Sequence, residues 1–218
     1  MKNNFLDTIG VKKIYLRTVI AFKRMNKWVV RASTNRVNPQ RVRSDAEKET
    51  NTNFGDSRKF DSKFANTMRA CPTWAAAARH YGKDGQNSDN FQHHVNHDKL
   101  AGKVVACFHL FRFSMGPRSL PWNLAATREG DTVTITWTDS RHTGQASPHD
   151  LLVVGLIYSH HPGRPILIDD TGTTRADGSF TFTLDSRYSS KQDIHVYAFF
   201  ANPQRTEFSD SQYILLKM

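Results

Sequence analysis

No stretch of this 218-residue chain approaches the roughly 20 consecutive apolar residues that a membrane-spanning helix needs. The longest N-terminal candidate, Ile9 to Phe22, is interrupted by Lys12, Lys13 and Arg17, so it offers no apolar core for a secretory signal. These two absences lead to the expectation of a cytoplasmic or virion-associated protein. Cysteine is scarce. Cys71 and Cys107 are the only two, neither lies in a CxxC, and buried free thiols are expected rather than redox or thiolate-metal chemistry. Glycine forms no GxGxxG or Walker pattern, so no phosphate cradle is expected. GxSxG and HExxH are missing too, which removes the commonest hydrolase signatures.

Acidic residues are nearly absent from the front of the chain. Residues 1–43 carry eleven Lys or Arg against one acid, Asp7, which already equals the net charge of +10 for the whole chain. A field this lopsided favours an acidic partner, whether a protein face, nucleic acid or another polyanion. Fourteen Phe, four Trp and six Tyr, with 38% of residues apolar, supply enough material for a packed core.

The segment from Val11 to Arg31 reads as a hairpin. Ile14, Leu16 and Ile20 alternate with Tyr15, Arg17 and Val19, and the polar Lys23–Lys27 stretch separates Phe22 from Trp28-Val29-Val30. One face is expected to be apolar and the other to carry Arg17, Lys23 and Arg31. An isolated hairpin is marginal in water, so it needs something to dock on. Asn35 to Gln40 is a turn around Pro39.

Ser44 and Glu47 have the spacing of a capping box and open a helix, with Gly55 a candidate break. Phe60, Phe64, Met68 and Cys71 then form one apolar stripe, with Arg58, Lys59, Lys63 and Arg69 off it. After Pro72, Trp74–Tyr81 restarts as a short helix, and Asp89–Leu100 reads as another, ended by Gly102.

From Lys103 the period becomes two. The expected strands are Lys103–Phe113, Trp122–Arg128, Thr132–Thr138, Asp150–Tyr158, Pro165–Ile168, Ser179–Leu184, Ile194–Ala201 and Gln212–Leu216. Leu151 to Tyr158 is apolar throughout, as a strand covered on both faces requires. The expected fold class is therefore α+β. A basic β-hairpin arm (1–43) and a helical region (44–102) precede an antiparallel immunoglobulin- or fibronectin III-like β-sandwich (103–218) that folds on its own.

Val133-Thr-Ile-Thr-Trp137, the Leu151–Tyr158 strand, Val196-Tyr-Ala198, Ala201-Asn202 and Ser209-Asp-Ser211 occur in an order that resembles a fibronectin type III-like domain. Over nearly its whole length the chain is similar to a bacterial family of unknown function. That family joins a basic N-terminal hairpin and an Asn-Pro-Gln turn into a helix to a C-terminal sandwich. The matching pieces are Trp28-Val-Val-Arg31, Val37-Asn-Pro-Gln40, Lys59-Phe60 and Thr136-Trp-Thr-Asp139, with Asp150 downstream; Gly10 stands where the family is glycine-rich. The resemblance implies an architecture and no reaction. Phage structural components with a similar hairpin and turn point towards assembly.

Candidate chemistry is sparse. His93 and His97 share a helix face at i,i+4 and could both ligate zinc, with His80 or Asp98 as candidates to complete a site. No third ligand has diagnostic spacing, so no metal and no cofactor is expected. Ser147, His149 and Asp150 crowd one loop, too close in sequence for a triad, and Asp150 is read as capping local amides. Asp169-Asp170 reads as a solvated turn. What survives is the basic set: Arg17, Lys23, Arg24, Lys27, Trp28, Arg31, Arg36, Arg41 and Arg43, cations beside an aromatic, suited to an acidic partner or to phosphate contact with base stacking. The chain is expected to be a non-catalytic structural or interaction protein, with self-assembly or a protein partner first and nucleic-acid binding the alternative.

Overall fold

The computed structural model describes residues 13–15, 19–24, 27–32, 42–83, 88–139, 145–189 and 192–218. Two compact units emerge, Met1–Lys48 and Glu49–Met218. In the first, β1 (Lys13–Tyr15), β2 (Val19–Arg24) and β3 (Lys27–Ala32) form one antiparallel sheet in that order. The hairpin gains a third strand. Its register also corrects the expected faces. Lys23 pairs with Trp28 and Ile20 with Arg31. Opposed residues share a face and successive ones alternate, so positions 23 and 31 lie on opposite faces.

The second unit is built around strands with two covered faces. The first helix, α1 (Asp45–Thr67), whose opening turn belongs to the first unit and whose remainder belongs to the second, begins as expected. The Ser44 amide donates to Glu47 Oε2 (3.0 Å) and the Glu47 amide to Ser44 Oγ (3.2 Å). Gly55 does not break it, because a helical glycine costs only about 1 kcal/mol against alanine and the flanking turns hold. Next come α2 (Thr73–His80) and α3 (Ser88–Asn96), which tightens into a 3-10 turn at His97–Lys99. Two short strands, β4 (Leu100–Ala101) and β5 (Val104–Val105), pair across Gly102, whose φ of +60° suits a residue without a side chain.

The strand expected over Lys103–Phe113 therefore shrinks to two residues. Beyond it the backbone turns back on itself, the Phe111 amide donating to the carbonyls of Cys107 and Phe108. Asn96 pins the following segment, accepting from the Arg112 amide (3.0 Å) and donating to the Arg112 carbonyl (2.9 Å). Phe111 and Phe113 are delivered into the core from irregular chain rather than from a sheet.

Seven strands follow: β6 (Trp122–Glu129), β7 (Thr132–Thr138), β8 (Leu151–Tyr158), β9 (Ile166–Ile168), β10 (Ser179–Thr183), β11 (Ile194–Ala201) and β12 (Gln212–Leu216). A one-turn helix, α4 (Ser186–Ser189), precedes β11. They make two antiparallel sheets, ordered β10-β7-β6 and β12-β11-β8-β9. Alternation then sorts the core. Leu152, Val154, Leu156, Val196, Ala198 and Phe200 pack with Val133, Ile135 and Trp137 of the three-stranded sheet. Their neighbours Val153, Ile157, Tyr197 and Phe199 pack with Phe60, Phe64, Met68 and Trp74 of the helical segment and with Phe111 and Phe113.

The helices and strands thus share one four-stranded sheet. The expected boundary at residues 102/103 marks no division of the structure, because the sheet's second face is covered by residues before it. Gly155 records how tight that cover is. A Cβ added there would stand 2.4 Å from the Phe113 ring.

Candidate functional site

Of the expected binding residues, Arg17, Arg36 and Arg41 lie outside the described residues. Lys23, Arg24, Lys27 and Arg31 fall on β2 and β3, where Arg24 pairs with Lys27. Trp28 is half-buried and Arg43 exposed, as are Val29 at 36% and Val30 at 66%. The sheet thus gathers Lys23, Arg24, Lys27, Trp28 and Arg31 on adjacent strands.

A second cluster was only half visible in the sequence. His93, on α3, does not face solvent alone: its Nδ1 lies 2.6 Å from Oδ2 of Asp61 on α1. Asp61 is 2% exposed and its other oxygen, Oδ1, is buried without a hydrogen-bond partner. Arg58 approaches the same carboxylate at 3.7 Å and donates to Asn90 Oδ1 at 3.3 Å. His97 Nδ1 meets the His94 carbonyl at 3.2 Å, and the His93 and His97 ring centres are 5.5 Å apart. These histidines, with Phe54, Arg58 and Asn90, line an open groove of about 730 Å³. The missed signal was Asp61 itself, an acid set among Ser57, Phe60 and Phe64 on the buried side of α1.

Other polar groups serve the packing. Ser147 and Asp150 form no triad. The Asp150 carboxylate accepts from the Ser147 amide (3.0 Å), as a local turn residue does. It is fully buried between Arg175 Nε (3.5 Å) and Arg118 Nη1 (3.4 Å), and Arg118 also reaches Glu207 (3.2 Å). The Arg175 guanidinium sits 4.7 Å from the centre of the Phe200 ring, while the Arg175 carbonyl accepts from the Trp137 indole (2.7 Å). Burial pulls the Arg175 pKa down, and Asp150 opposes that shift. Asp169 is not simply solvated: Arg205 bridges to it at 3.3 Å.

Ser159 Oγ, His195 and Tyr213 form a chain, Nε2 3.0 Å from the serine and Nδ1 2.9 Å from the phenol. Among the described residues no carboxylate hydrogen-bonds that ring, which is 7% exposed and stacked on Phe108 at 3.6 Å. A buried imidazole with both nitrogens satisfied is a packed polar group. Cys71 is buried and free, its thiol pushed up to about 12 by desolvation, far from the thiolate form that reacts or binds metal. Among the described residues no three His, Cys, Asp or Glu side chains assemble as a metal-binding set. No helix among them is long and apolar enough to cross a membrane.

Residues 115–215 match a family of unknown function, DUF6266. The match takes in all seven strands of the two packed sheets, except the last residue of β12, and none of the helices α1 to α3. Among solved structures, the chain is similar to the chicken CNTN1 FN1-FN3 domains at 9% identity, with a TM-score of 0.31. That likeness covers 48% of this chain and 34% of the other, so this chain spans about a third of its length. No curated protein matches.

Proposed function

We propose that this is a non-catalytic interaction protein in which a rigid helix-and-sheet body carries a basic N-terminal sheet that binds an acidic protein face, another copy of the chain included. The observation that carries the reading is the β1-β2-β3 ladder, whose register puts positions 24, 27 and 31 on one face with the exposed Val29, and position 23 on the other with Trp28 and the exposed Val30. Cations set beside exposed apolar residues fit a surface that is steered by charge and then buried. The body reads as a fibronectin type III-like sandwich, since a three-stranded and a four-stranded antiparallel sheet share one apolar cluster. Assembly within a virion or envelope fits the same reading.

Deleting residues 1–43 leaves the Ser44–Glu47 capping box in place and tests the proposal. The truncated chain is expected to keep its unfolding transition and to lose self-association or partner capture, measured by light scattering and pull-down. Unchanged mass together with intact capture refutes it.

Trp28, opposite Lys23 in the register, supports a second reading, binding of single-stranded nucleic acid by stacking and phosphate contact. It predicts a gel shift with DNA or RNA that weakens steeply as salt rises. No shift at low salt removes it.

A further inference from the structure

The groove between α1 and α3 places two imidazoles in a defined chemical state. A backbone carbonyl can only accept, so the contact between His97 Nδ1 and the His94 oxygen (3.2 Å) fixes the proton on Nδ1. An ionised carboxylate likewise only accepts, so Asp61 fixes the proton of His93 on Nδ1 (2.6 Å). In the neutral rings both lone pairs are then on Nε2, and no hydrogen bond engages Nε2 of either residue among the described residues. The rings stand one helical turn apart with centres 5.5 Å apart, a separation that one ion bonded to both at about 2.0–2.1 Å can span.

Behind the pair stands the support that imidazole ligands ordinarily have: a carboxylate on one and a backbone carbonyl on the other, each holding the ring and raising its basicity. Asp61 is 2% exposed and has an oxygen left without a partner, which is costly in a carboxylate kept only for packing. Arg58 lies on the groove wall, but its charge is directed at Asp61 and Asn90.

We propose that His93 and His97 bind one borderline divalent transition-metal ion such as Zn²⁺ through their Nε2 atoms, with Asp61 orienting His93. Imidazole pairs select Zn²⁺, Cu²⁺ or Ni²⁺ over Mg²⁺ or Ca²⁺, which want oxygen. With two protein ligands the ion keeps open positions for water or for a side chain from a partner. Because Asp61 on α1 holds His93 in place only when α1 lies beside α3, the folded chain offers the ion a better site than the unfolded chain does, and binding stabilises the body by mass action.

The test is titration of the full-length chain with ZnCl₂, followed by calorimetry and by thermal unfolding, with MgCl₂ alongside. One equivalent of zinc is expected to bind and raise the melting temperature, while magnesium does neither. His97→Ala is exposed and removes a ligand without touching the core, so it should abolish both effects. His94→Ala should preserve them, and Asp61→Asn should weaken zinc binding about 10–100-fold. Failure to take up zinc, uptake undiminished in His97→Ala, or uptake lost in His94→Ala each overturns the assignment. Should Asp61→Asn fail to fold, the His97 and His94 variants still decide the matter.

Discussion

The two faces of the central sheet are covered in different ways. Towards the β10-β7-β6 sheet the cover is other strands, mostly aliphatic: Leu124, Val133 and Ile135 against Leu152, Val154, Leu156 and Val196. Towards the helices it is largely aromatic and drawn from several sources: Phe60 and Phe64 from α1, Trp74 from α2, Phe91 from α3, Phe111 and Phe113 from irregular chain, Phe208 from the segment before β12. Strand-on-strand packing needs only a repeat of two in both partners. The other face depends on single large rings placed by tertiary contacts, such as Phe64 and Phe113 meeting edge to face at 5.1 Å. A face built from few large side chains concentrates its stability in those few.

The largest expected effect follows directly. Phe64→Ala should cost about 3–5 kcal/mol, the range for emptying a buried aromatic site, a loss comparable to the whole stability of a marginal domain. Denaturant unfolding measures it. A cost below about 1 kcal/mol would make the helical layer an accessory and break the comparison.

Gly155→Val asks whether the cover is as close as the geometry requires. The new side chain must displace the Phe113 ring, and overpacking of this kind costs about 1–3 kcal/mol. An unchanged melting temperature would mean that Phe113 does not rest on β8.

The smallest effect concerns pH. Burial lowers the pKa of His195 below its ordinary 6.5. The unfolded chain therefore takes up a proton on that residue before the folded one does. The contribution is fully present above about pH 6.5 and is lost as pH falls through the lowered folded value. His195→Gln should flatten that part of the stability profile between about pH 6.5 and the acid side. A variant profile that parallels the parent would place the loss on other groups.

The same contrast explains what was legible in the sequence. Thr132–Thr138, Ile194–Ala201 and Gln212–Leu216 are strands with the bounds that alternation and turn residues mark. The apolar run of β8 announced a doubly covered strand, which the two clusters bear out. Lys103–Phe113 misled because its apolar residues plug a core from a turn, and side-chain hydrophobicity does not distinguish a plug from a strand. Asp61 escaped notice as a partner for His93 because the two are remote in sequence and meet only when α1 lies beside α3. The separation of positions 23 and 31 followed from register, which hydropathy alone does not set.

The central claim is that the helical segment and the strands are one folding body. The most direct measurement compares fragments 44–218 and 103–218 by circular dichroism and thermal unfolding. The first should melt in a single cooperative transition, and the second, stripped of the α1, α2 and α3 side chains that complete the cover over one face of β8 and β11, should aggregate or bind a hydrophobic dye without a sharp melt. If residues 103–218 alone unfold as cooperatively and at the same temperature as 44–218, the shared-core account is wrong.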